Sequence, residues 1–77
     1  MPEALDPRTT ELVGIAAAIA GHGKPCFDFH HRKALEVGVS AEEIRAAVTL
    51  ARAVRSAGDR HMDEHATGRM TATAPTP

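Results

Sequence analysis

Apolar residues recur at helical spacing in three stretches, separated by glycine, proline and capping residues. Leu12, Ile15, Ala16, Ile19 and Ala20 form the first stripe. Asp6 precedes it as an N-cap with Pro7 at the first helical position, and Gly21-His22-Gly23 closes it. A second helix runs from about Pro25 to Val37 and stops at Gly38, which suits a left-handed terminus. Phe27, Phe29, Ala34, Leu35 and Val37 are spread over more than one side of it, so it needs several packing neighbours. Ser40 and Glu43 form a capping box for a third helix, Ala41 to about Ser56, with Ile44, Ala47, Val48, Ala51 and Val54 or Arg55 along one stripe. Gly58-Asp59 is read as a break, with Asp59 capping a short fourth helix through about Ala66. No strand-like alternation or internal repeat appears. The fold class is all-α, with three main helices plus a short fourth in one domain over residues 1–66. From Thr67 the composition turns to Thr, Ala, Pro and Gly without periodicity, which predicts a disordered tail over 67–77.

Composition changes this picture in one respect. At 77 residues, with 43% hydrophobic positions, 3% aromatics and neither Trp nor Tyr, large core side chains are scarce. A core of this size seldom supplies more than ~3–5 kcal/mol. A single cysteine excludes an intrachain disulfide. Oligomerisation is the remaining means of covering the apolar faces, so a homo-oligomer is expected. Nine basic and ten acidic residues are interspersed, for a net charge of −1, and offer no field for nucleic acid. The apolar run from Val13 to Ala20 falls far short of the ~20 residues that span a bilayer. With no signal-peptide pattern, a soluble cytoplasmic protein without membrane partners is expected.

Candidate chemistry centres on Gly23-Lys24-Pro25-Cys26-Phe27-Asp28-Phe29-His30-His31. Cys26 and His30 stand four apart and share a helix face. The cysteine lies in the first helical turn, where the positive end of the helix favours a thiolate, and a histidine in reach can take or share the thiol proton. A thiolate so placed can attack a peroxide and become a sulfenic acid, or attack an electrophilic carbon. The competing reading is a small buried hydrophobe. Glu11, one turn before Ile15 at the edge of the first stripe, reads from periodicity alone as a solvated surface acid.

Two metal-like patterns carry less weight. His22, Cys26 and His30 fall at spacings of four, but Gly21 and Gly23 argue against one helix through all three, and zinc needs three or four convergent ligands. His61-Met62-Asp63-Glu64-His65 reads H-x-x-E-H, the inverted zinc-protease motif, on a scaffold too small for that chemistry. No metal and no cofactor is expected.

From Leu5 to about Ala66 the sequence resembles the carboxymuconolactone decarboxylase superfamily, specifically its small AhpD-like (alkylhydroperoxidase D-like) branch. The resemblance rests on Leu5-Asp6-Pro7-Arg8-Thr9-Thr10-Glu11-Leu12-Val13, on Gly23 to His30, and on Ala34-Leu35-Glu36-Val37-Gly38-Val39-Ser40-Ala41-Glu42-Glu43-Ile44. The peroxidase pattern of that branch is E-x11-C-x-x-C-x-x-x-H. Glu11 falls on its glutamate, Cys26 on its second cysteine and His30 on its histidine, while its first cysteine falls on Gly23. The resemblance implies an all-α fold assembled as trimers or hexamers, with the site near subunit contacts. It implies that Cys26 is the peroxidatic thiol, His30 the general base and Glu11 the relay acid, and it turns Glu11 inward. Without a resolving cysteine, turnover of a hydroperoxide needs an external thiol, a second subunit's Cys26 or a partner protein. The alternatives are a decarboxylase-like enzyme in which His30 and Glu11 do acid-base work, and a non-catalytic oligomeric binding protein that has lost the redox cycle.

Overall fold

The computed structural model describes residues 4–73 as three helices, α1 (Pro7–Gly21), α2 (Lys24–Glu36) and α3 (Ala41–Thr73). No strand occurs among the described residues. Helix α1 packs along both α2 and α3, which scarcely touch each other. No helix among the described residues is long and apolar enough to cross a membrane.

The helix ends follow from local chemistry. The Asp6 carboxylate accepts from Thr9 N–H at 2.7 Å, and Pro7 occupies the first turn, where a missing donor costs nothing. At the far end of α1 the amides of His22 and Gly23 donate to Ile19 and Ala18. This Schellman pattern puts the left-handed residue on His22, at φ 58°, although glycines flank it. Helix α2 ends in the same motif on Gly38, at φ 86°, with Gly38 and Val39 donating to Leu35 and Ala34. Ser40 and Glu43 form the reciprocal capping box of α3, at 2.9 and 3.1 Å.

Arg8 ties these ends together, reaching from the first turn of α1 to the Gly38 carbonyl at 2.5 Å and to both carboxylate oxygens of Glu43 at 2.7 and 2.6 Å. The Ser40 amide and the Arg8 guanidinium hold the Glu43 carboxyl down from the ordinary 4.5 to about 2. The folded value lies below the unfolded one, so the stabilisation is complete above pH 4.5 and disappears as pH falls toward 2. Asp6, bonded by Thr9, shifts in the same direction. The melting difference between wild type and Glu43→Gln is therefore expected to stay constant near neutrality and to close between about pH 4.5 and 2. A gap unchanged down to pH 2 would show that it does not come from the ionised carboxylate.

Ile15, Ala34, Val39 and Ile44 form the core, with Leu12, Phe27, Val37 and Val48 packed against it. Ile15 is the one large side chain fully buried among the described residues. Truncating a buried isoleucine costs ~2–5 kcal/mol, comparable to the whole stability of a core this small. Ile15→Ala is therefore expected to abolish the cooperative thermal transition seen by circular dichroism. A transition retained within a few degrees of wild type would place the stability elsewhere.

The short fourth helix expected after Gly58 does not form separately. Helix α3 runs unbroken through Gly58 and Asp59. An interior glycine costs a helix only ~1 kcal/mol relative to alanine, and an established helix gains one hydrogen bond for each residue it adds. The helix also continues through Thr67–Thr73, where the sequence predicts the start of a disordered tail; residues 74–77 lie outside the described region.

As a result the chain extends 62 × 28 × 19 Å, with a radius of gyration of 17.8 Å. A compact chain of this length has a radius of about 11–12 Å. Leu35, Leu50, Val54, Met62 and Met70 are each more than half exposed.

Candidate thiol site

The site lies where α1 and α2 pack together, from Glu11 near the start of α1 to Cys26 in the first turn of α2. On α1, Glu11 and Gly14 stand three residues apart on one face; on α2, Cys26 and His30 stand four apart. His30 Nδ1 lies 2.7 Å from Glu11 Oε1. The Glu11 side chain is only 12% exposed and that of His30 27%, so the pair is largely shielded from solvent. Glu11 is thus turned inward and is not the solvated acid that periodicity alone suggested. With Glu11 ionised, Nδ1 must be the donor, which leaves the lone pair of the neutral ring on Nε2. Phe29 meets the His30 ring edge-on, with centroids 5.0 Å apart.

Gly14 makes this approach possible. A Cβ at Gly14 would lie 2.5 Å from Cγ and Nδ1 of His30, closer than real contacts allow. The imidazole therefore occupies the space where any other residue of α1 would carry a side chain. The motif reading missed this residue. Its signal was a glycine in the middle of an otherwise unbroken helix, which usually has a packing reason.

Cys26 is a free, exposed thiol. It lines an open cleft of about 290 Å³ together with His30, Gly14, Gly23 and Ala17 and Ala18 of α1. All three residues singled out from the sequence, Glu11, Cys26 and His30, thus converge: the first two helices bring the thiol and the imidazole to one cleft and the carboxylate behind the imidazole.

Residues 1–63 match the carboxymuconolactone decarboxylase family. The chain belongs to that family. No curated protein and no solved structure matches it. The region matched to the carboxymuconolactone decarboxylase family spans α1, α2 and the first two-thirds of α3, and so contains the whole Glu11–His30–Cys26 cluster.

Gly23 caps α2 at φ −92° and ψ 86°, a backbone open to residues with side chains. A Cβ there would stand 3.5 Å from Cys26 Cβ and 3.7 Å from Sγ, in ordinary van der Waals contact. His22 does not join the thiol cleft; it lines a separate cavity beyond Gly23. Among the described residues no group of three His, Cys, Asp or Glu side chains converges to hold a metal ion. His61 to His65 lie on the exposed outer part of α3, remote in sequence from the cluster.

Proposed function

We propose that this chain is an AhpD-like thiol peroxidase of the carboxymuconolactone decarboxylase family, reducing hydroperoxides with Cys26 as its only redox residue. The observation that carries this reading is the 2.7 Å bond between His30 Nδ1 and Glu11 Oε1 behind the Cys26 cleft. A histidine oriented by a carboxylate beside a nucleophile is the arrangement that activates the nucleophile. In the first half-reaction His30 takes the Cys26 proton. The thiolate sulfur attacks the terminal oxygen of ROOH, the O–O bond breaks, and the proton returns to the leaving alkoxide to give ROH and Cys26 sulfenic acid. Glu11 acts through His30, holding the tautomer and balancing the imidazolium charge. In the second half-reaction an external thiol condenses with the sulfenic acid to release water and form a mixed disulfide. A second thiol equivalent then displaces Cys26, leaving the oxidised disulfide of the reductant.

The exposed apolar side chains of α2 and α3 support a homo-oligomer, with the trimer or hexamer as the assembly we propose.

The acid-base reading retains one specific support: the His30–Glu11 pair is complete without the thiol. The two readings separate on a single variant pair. As a peroxidase, Cys26→Ser is inactive toward hydroperoxides, and Glu11→Gln slows formation of a trapped sulfenic acid at Cys26. Trapping at the wild-type rate in Glu11→Gln would remove the relay from the mechanism.

A further inference from the structure

A second cavity, of about 360 Å³, lies on the other side of Gly23 from the thiol cleft and is lined by residues from all three helices. Its size falls near the lower end of the ~300–1,000 Å³ of small-molecule sites. Ile19 and Phe27 form its apolar wall, and His22, Lys24, Arg55 and Asp28 supply the polar groups. The lining thus holds two cations, Lys24 and Arg55, and one carboxylate, Asp28, while the chain as a whole carries a net −1. Arg55 is part-buried and donates Nη1 to the Ile19 carbonyl at 2.9 Å, which uses one of its five N–H donors and fixes the guanidinium at the cavity wall. The Phe27 amide is already bonded to the Gly23 carbonyl, so the positive character comes mainly from side chains.

We propose that this cavity is a binding site for a small amphipathic anion, its acidic head between Lys24 and Arg55 and its apolar body against Ile19 and Phe27. A planar guanidinium held in place suits an oxyanion, and the Ile19 and Phe27 side chains beside it offer apolar contact to the body of the ligand. An uncharged ligand of the same shape leaves the cations solvated and gains only the apolar contact; a bare inorganic anion gains only the charge. None of Glu11, Cys26 and His30 lines this site, so its recognition of an anion does not rest on the peroxidase reading.

The test is a titration of the ¹⁵N-labelled full chain, followed by amide shifts, with benzoate, benzamide and inorganic phosphate as probes. Benzoate is expected to shift the amides of His22, Gly23, Lys24 and Phe27 saturably, with benzamide and phosphate each binding at least several-fold more weakly. Lys24→Gln, on an exposed side chain that the fold does not need, is expected to weaken benzoate by up to about fivefold and leave benzamide unchanged. Arg55→Gln removes the bond to Ile19 as well, so the probe series on wild type carries the test without it. Benzamide or phosphate binding as well as benzoate, or benzoate shifts that do not saturate or fall outside these residues, would overturn the proposal.

Discussion

Gly14→Ala is expected to leave the chain folded and to remove the chemistry of Cys26. Alanine is the better helix former by ~1 kcal/mol, so α1 gains intrinsic stability. The added methyl, however, would sit 2.5 Å from the His30 ring, and the clash involves Cγ as well as Nδ1. Moving only the far edge of the ring cannot relieve it; the side chain must leave its rotamer. The 2.7 Å bond to Glu11 then breaks. A positioned general base contributes ~10²–10⁴-fold, and Gly14→Ala is expected to lose as much of the peroxide reaction rate as His30→Ala does. Stopped-flow oxidation beside a thermal melt makes the comparison. A variant that melts near wild type but oxidises slowly identifies Gly14 as a positioning residue. Wild-type oxidation with a displaced His30 would show that the thiol needs no base.

The second large effect is expected at Gly23. Its negative φ admits a side chain without strain, and a Cβ built there stands 3.5 Å from Cys26 Cβ. Disulfides have Cβ atoms about 3.5–4.5 Å apart, so Gly23→Cys places a second thiol within bonding reach with little backbone movement. Oxidation of wild type by one equivalent of peroxide should leave a sulfenic acid that a trapping reagent captures. In Gly23→Cys the new thiol condenses with it, and intact mass should instead show loss of two hydrogens with no trapped adduct. Turnover with a dithiol reductant should rise accordingly. Persistent trapping in Gly23→Cys would mean that the two positions do not meet as the backbone places them.

These two glycines also show what a sequence conveys and what it withholds. Caps were legible because they are local: Asp6 with Pro7, Ser40 with Glu43, and Gly38 at positive φ each declare a helix end within a few residues. Cys26 and His30 were legible for the same reason, since one helix carries both. Glu11 was not, because a polar residue at the edge of an apolar stripe has no visible partner until a second helix is placed; the family resemblance, not the periodicity, turned it inward. Gly14 is a tertiary feature of that kind, as are the Arg8 tie to Glu43 and the Arg55 bond to Ile19. The misread break at Gly58 has a different cause. Glycine lowers helix propensity by about the same amount whether or not a helix continues through it, so the residue alone does not decide. At His22 the left-handed turn falls on a histidine between two glycines, where composition would have favoured either neighbour.

Activation of the Cys26 thiol is read out by its second-order rate of oxidation by a hydroperoxide. With one cysteine in the chain, the signal has a single source. Oxidation far faster than that of free cysteine under the same conditions is expected, with a sulfenic acid confirmed by intact mass after trapping and a fall of about 10²–10⁴-fold in His30→Ala. A wild-type rate equal to that of free cysteine, unchanged by His30→Ala, would contradict that activation.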